Sequence, residues 1–390
     1  MTASHLRDLW SLDPTLAFLN HGSYGATPTV VLEAQGELRR ALERNPVDFF
    51  ARRFPKALAL AREAVAAFVG ADPAGFVFVP NASTGIATVL ANATLGPGDE
   101  LLTTDHAYPA CRNALERAAS QAGARVVVAR LPFPGATDDG IVDAVLAAVT
   151  PRTRLAVLDH ITSPTALVLP IERLVGELRV RGIDTLVDGA HAPGAIDLDV
   201  GRIGAAYYTG NGHKWTCAPK GAAFLHVRDD RRERLRPLVT SHGYARPLEP
   251  GETRFRAEHD WVGTMDPTAY LAWPIAIDVV GAMLEGGWAA VRARNHEAAL
   301  AARRLLCERL GVAPAAPDAM IACMAAVELP DGPAQALGDA LYRDHRIEVP
   351  IVPWPAAPRR LLRVSTHLHT RTEDVLRLVD ALPGALRAAS

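Results

Sequence analysis

Cysteine is scarce: Cys111, Cys217, Cys307 and Cys323 are the only four in a chain of 390 residues. None forms a C-x-x-C pair or a zinc-like spacing, so neither a structural metal nor a disulfide framework is expected. Scattered thiols in a long chain suit a reducing cytoplasm. Net charge is also nearly absent, at -2, and no global field recruits nucleic acid or an anionic membrane. The one dense basic run, Arg228 to Arg236, is interleaved with Asp229, Asp230 and Glu233 and reads as a solvated face. Long apolar runs are lacking. The most apolar window, 268–284, contains Pro274 and Asp278 and is too short for a membrane span; it reads as a buried helix between two domains. The start carries Arg7 and Asp8 but no apolar segment of the signal-peptide kind. No internal repeat or low-complexity tract is visible.

What is present is alternation. From residue 57 to 228, short apolar runs (Phe76–Val79, Glu100–Thr103, Arg125–Ala129, Leu155–Leu158, Thr185–Val187, Ala205–Tyr208, Ala222–Val227) are separated by stretches of helical period such as Tyr108–Ala122 and Ile171–Arg181. Gly and Pro punctuate the joins, as in Gly96-Pro-Gly98 and Pro132-Phe-Pro134. Such a pattern predicts an α/β fold with a mostly parallel seven-stranded sheet covered by helices on both faces. Ligands of such sheets bind at the carboxyl ends of the strands. Past about residue 265 a long helix is expected from Gly286-Gly287 to Leu310, then strands at Met320–Leu329 and Leu361–Ser365. A last helix from Thr372 is expected to stop near Leu382, before Pro383-Gly384. The expected division is a large domain, 21–264, a smaller α/β domain, 265–390, and a segment, 1–20, folding back onto the smaller one.

Two motifs carry the chemistry. Lys214 lies in Thr209-Gly-Asn-Gly-His-Lys-Trp215, and Asp188 begins Asp188-Gly-Ala-His191. A lysine in a partly desolvated cleft can bind an aldehyde cofactor as a Schiff base. An aspartate at a strand's carboxyl end can hold a protonated ring nitrogen, although such a residue can equally cap a helix. The pair describes a site for pyridoxal 5'-phosphate (PLP). His191 would stack near the ring or bond to its substituents. Asn81-Ala-Ser-Thr-Gly85 follows an apolar run and opens a helix; Ser83, Thr84 and the backbone N–H groups there suit a phosphate, or simply cap the helix. Asn211 and His213 could reach the same phosphate.

These and further motifs, Phe18-Leu-Asn-His-Gly22, Asp105-His106, Gly263-Thr264 and Arg363-Val-Ser365, resemble in type and order the class V aminotransferase family of fold type I PLP enzymes, over residues 16 to 370. Leu19-Asn-His-Gly-Ser-Tyr-Gly25, Asp159-His160, Asn211-Gly-His-Lys-Trp215 and Asp260-Trp-Val-Gly-Thr264 look like its isopenicillin N epimerase-like branch. The resemblance implies that Lys214 is the covalent anchor and Asp188 the partner of the ring nitrogen. It places His106, or alternatively Tyr108, over the ring face opposite Lys214, and Ser163 near the ring hydroxyl. Ser83, Thr84, Asn211 and His213 would hold the phosphate, and Thr264 would reach the phosphate of a neighbouring subunit in a homodimer. Arg363 would grip a substrate carboxylate, with Asn20 and His21 lining the entrance. No cysteine lies between Asp331 and Arg363, which argues against sulfur transfer to a protein thiol.

The expected activity is formation of a Cα carbanion from a small-molecule amino acid, with epimerisation or racemisation first, C–S elimination from a cysteine-derived compound second and transamination third. Epimerisation needs a proton donor on the second face, for which Tyr108, His106, His242 and Tyr244 are the candidates. A non-catalytic binding protein of this fold would have dispensed with the lysine or the aspartate; both are present.

Overall fold

Twelve strands, in chain order, define the architecture of the computed structural model, which describes residues 6–389; the first five positions of the N-terminal segment lie outside the described residues. They are β1 (Ala17–Phe18), β2 (Phe76–Val79), β3 (Glu100–Thr104), β4 (Arg125–Ala129), β5 (Thr153–Asp159), β6 (Asp184–Asp188), β7 (Tyr207–Asn211), β8 (Ala223–Val227), β9 (Met324–Leu329), β10 (Ile347–Glu348), β11 (Ile351–Pro353) and β12 (Arg360–Ser365).

Seven of them form one sheet in the order β2-β8-β7-β6-β5-β3-β4. All its pairings are parallel except those of β8, which runs against both β2 and β7. The central strands are short and buried on both faces, with helices above and below, as a parallel sheet requires. One core, including Leu102, Leu158, Val187, Tyr208 and Phe224, fills the face toward the helices Phe54–Phe68 and Thr268–Gly281. A second, including Val77, Ile86, Leu115, Val157 and Leu225, fills the other face. The helix Thr268–Gly281 is buried along most of its length despite Pro274.

The chain after about residue 300 builds a separate core, including Val327, Leu337, Leu362, Val364 and Leu378, around the antiparallel sheet β11-β12-β9. The N-terminal segment joins it: β1 pairs in parallel with β10.

Three expectations differ. The strand foreseen from Met320 starts only at Met324, because Asp318–Met320 forms a turn of 3-10 helix. The last helix does not stop at Leu382 but runs through Pro383 to Ala388. A proline inside a helix costs about 3 kcal/mol; continuing the helix buries Ala385 beside Leu382 and Leu378 and packs Leu386 against the same core, which offsets part of that cost. Third, β5 and β7 extend beyond their apolar runs to Asp159 and Asn211. The added residues are polar and reach the carboxyl edge of the sheet.

Candidate active site

The carboxyl ends of β5, β6 and β7 converge on a cavity of about 220 Å3. It is lined by Asp159, Asp188 and Asn211 from those strands, by Ser83 from the first turn of helix Ala82–Ala91, by Lys214 and His213 from the loop after β7, and by Arg363 from β12. Ser23 and Tyr24 enter from the N-terminal segment and Tyr108 from the residue before helix Pro109–Ala122. Two close approaches set this geometry. Gly85 lets the helix Ala82–Ala91 lie against Thr209 of β7, where a Cβ would strike the threonine hydroxyl. Gly25, at φ 68°, lets the N-terminal turn pass the backbone of His213, whose carbonyl leaves no room for a side chain.

Lys214 Nζ donates to His191 Nε2 at 3.0 Å. Burial, with the Arg363 cation adding to it, brings the lysine down to about 8, while Asp188 pulls the other way. His191 is buried and driven well below the usual histidine range by burial and by Lys214, so it accepts that bond as a neutral ring. The backbone of the lysine loop is held from behind. His21 is fully buried, with Nε2 donating to the Lys214 carbonyl at 2.9 Å and Nδ1 at 2.9 Å from His369 Nε2. His367 bonds the Trp215 carbonyl at 3.2 Å and stacks on His21 at 4.4 Å. Burial keeps all three of these histidines below their ordinary pKa.

Asp188 accepts the Ala190 N–H on Oδ1 at 3.0 Å and the Cys111 thiol on Oδ2 at 3.1 Å. Arg363 is 4% exposed. Its Nη1 donates to the carbonyl and hydroxyl of Ser163 at 2.6 and 3.1 Å, its Nη2 donates to Ser23 Oγ at 3.2 Å, and its Nε has no partner. No carboxylate among the described residues pairs with it. Burial lowers it to about 10. A buried guanidinium with only neutral partners and two free N–H groups, one on Nε and one on Nη2, is an arrangement completed by a carboxylate from outside.

At the phosphate end, Asn81 caps the helix by accepting the Thr84 N–H at 2.8 Å, and Asn211 Oδ1 accepts the Ala82 N–H at 2.9 Å. Ser83 faces the cavity; the Thr84 hydroxyl instead bonds Asn81 Oδ1 at 3.0 Å. His213 has its Nδ1 buried without a partner.

Several expected positions fall elsewhere. His106 does not line the cavity. It is fully buried, its Nδ1 is 2.8 Å from Thr165 Oγ1, and its ring meets Trp354 edge-on at 4.8 Å. Tyr108, the alternative, does line it and is 44% exposed. His21 is behind the lysine loop and not at the entrance. Asn20 acts one step away, accepting the Ser23 hydroxyl at 2.5 Å while Ser23 receives Arg363. Thr264 and His242 lie in a different surface groove, of about 740 Å3, with Phe50, Leu58 and Trp261. Ser23, Cys111 and Asp159 are additions; Ser23 and Asp159 lie in the quoted Leu19–Gly25 and Asp159-His160 motifs, and Cys111 carried no sequence signal.

The residues present fit PLP. The cavity offers a lysine of lowered pKa, a carboxylate held by two donors, hydroxyl and N–H groups at a helix start, and unpartnered nitrogens on His191, His213 and Arg363. Fold and site together define a PLP-dependent enzyme of fold type I. The family Aminotransferase class-V matches residues 18–378, and the chain belongs to it. It is 38% identical to the isopenicillin N epimerase of Streptomyces clavuligerus, over 95% of each chain. It is 36% identical to a putative L-cysteine desulfhydrase 1 of Oryza sativa subsp. japonica, over 94% of this chain and 82% of that one. Among solved structures, a mutant of C-DES with glycine covalently linked to its PLP cofactor superposes with a TM-score of 0.84 at 24% identity, covering 96% of this chain and 98% of that one. The Escherichia coli cysteine desulfurase CsdA does so with 0.82 at 21%, covering both chains fully. No helix among the described residues is long and apolar enough to cross a membrane.

Proposed function

We propose that the enzyme removes the Cα proton of an amino acid and returns a proton to the opposite face, as an epimerase or racemase. The meeting of Lys214, Asp188 and Arg363 in one cavity carries the Cα deprotonation, and the 38% identity to an isopenicillin N epimerase supports return of the proton to the opposite face. Bound PLP supplies the electron-withdrawing ring that makes the Cα–H bond acidic. Arg363 holds the substrate carboxylate through the N–H groups not engaged by Ser163 and Ser23. Lys214, with its amine near neutrality, takes the Cα proton, and His191 receives a hydrogen bond from that amine. Asp188, fixed by Ala190 and Cys111, keeps the ring nitrogen protonated. Tyr108, which lines the cavity as Tyr24 also does, delivers a proton from the second face.

The second reading, C–S elimination from a cysteine-derived substrate, is supported by the desulfhydrase relatives and needs the same Lys214, Asp188 and Arg363. Chiral chromatography separates the two: a D-isomer accumulating from an L-amino acid supports epimerisation, whereas pyruvate and ammonia from a sulfur amino acid, without the D-isomer, replace it with the lyase.

We also propose a homodimer in which Thr264 of one chain completes its neighbour's phosphate site. Thr264 is outside its own cavity, in a groove where Val47 is 72% exposed. Four free, buried thiols fit a cytoplasmic setting.

A further inference from the structure

Asp159 ends β5 where Asp188 ends β6, and the two face each other across the parallel ladder. Both are about 5% exposed and both line the cofactor cavity. Their surroundings differ. Asp188 has the Cys111 thiol and the Ala190 N–H on its two oxygens. Asp159 makes no ion pair with any described residue. Among the described residues, the Lys and Arg side chains lining the cavity are Lys214, whose lowered amine meets His191, and Arg363, which meets Ser163 and Ser23. Two buried carboxylates side by side do not both ionise readily. The cavity must also accept a phosphate and a substrate carboxylate, for which a second fixed anion would be uncompensated.

We propose that Asp159 is a neutral positioning acid: it holds a proton beside Asp188, so that the paired carboxyls present one negative charge to the cofactor's ring nitrogen and not two. The groups facing it are Asp188 from β6, Cys111 and Tyr108 at the helix Pro109–Ala122, and Lys214 from the loop after β7. Burial first, then Asp188, drive its pKa well above the carboxylate range; backbone N–H groups of Asp159 and Tyr108, and Lys214, act in the opposite sense. The Cys111 thiol is raised by burial and by both carboxylates, and remains a donor.

The inference concerns the cofactor site and rests on the PLP-dependent reading, so its first test uses the protein without cofactor. Infrared difference spectroscopy of wild type against Asp159→Asn at neutral pH should show a protonated-carboxyl band that the variant lacks; absence of that band overturns the proposal. The second test is cofactor affinity, followed by equilibrium dialysis of PLP. Asp159→Asn, neutral and of the same shape, should stay within about fivefold of wild type, the value of one neutral hydrogen bond, whereas Asp159→Ala should fall beyond it. Equal loss in both variants means that a charge is required, and no loss in either means that Asp159 positions nothing; either result overturns the proposal. A normal band with no PLP binding by the wild type would instead refute the cofactor reading alone.

Discussion

Replacing Arg363 by Met should separate function from stability. The guanidinium is buried, is held only by Ser163 and Ser23, and is lowered to about 10 by its burial. Folding therefore disfavours its charged form, and the protein tolerates it for what it binds. Losing a desolvated, bidentate contact with a carboxylate costs about 2–5 kcal/mol. That converts to a fall of about 30-fold to several thousand-fold in kcat/KM. Stability should change little. Three bonds of about 1 kcal/mol each are lost, but their acceptors face a cavity that water can enter, and the penalty of an unpaired buried cation is removed. A thermal midpoint within about 4 °C of wild type is expected. Arg363→Lys, which keeps charge but loses the planar fork, should be intermediate in kcat/KM. The assay is steady-state kinetics on carboxylate-bearing amino acids beside a melting curve. A variant that melts far below wild type while keeping kcat/KM within about threefold would refute the reasoning, because Arg363 would then be a structural residue.

The remaining predictions concern other groups of the cavity. Of only three lysines, Lys56, Lys214 and Lys220, borohydride reduction and peptide mass spectrometry should mark Lys214 alone, and Lys214→Ala should abolish the mark; a stable adduct at another lysine contradicts the assignment. Lys214 stands at about 8 against an ordinary 10.5, so its neutral, nucleophilic fraction grows as pH rises through 8. The rate of cofactor capture should rise over that range and level above it; a rate flat between pH 6 and about 10 would contradict the lowered value. Tyr108→Phe should retain exchange of the Cα proton with solvent while losing formation of the opposite isomer, measured by chiral chromatography; unchanged epimer formation would move the second acid elsewhere. Cys111→Ala removes one donor from Asp188 and should weaken PLP binding by about fivefold, with Cys111→Ser restoring it, as dialysis would show.

The sheet was legible as seven short apolar runs, each within a few residues of a strand, because a strand buried on both faces has no room for polar residues. The same criterion cut two strands short where it mattered. β5 and β7 carry on into Asp159 and Asn211, polar residues that face the cavity, not the core, and hydrophobicity cannot register them. Lys214, Asp188 and Arg363 were readable because each is an unusual residue in a recognisable local frame, and the structure brings them together. His106 and His21 were not readable in their actual places. Which way a histidine points depends on partners distant in sequence, Thr165 for the first and Lys214 with His369 for the second. The helix through Pro383 follows the same rule, since its continuation depends on core contacts and not on local propensity.

The most direct test of the central claim is mass spectrometry of an amino-acid panel incubated with PLP-loaded enzyme in D2O. The account predicts deuterium at Cα of a carboxylate-bearing amino acid, with loss of its optical purity, and no incorporation by Lys214→Ala. Absence of Cα exchange in every member of the panel, or exchange that survives removal of Lys214, would contradict it.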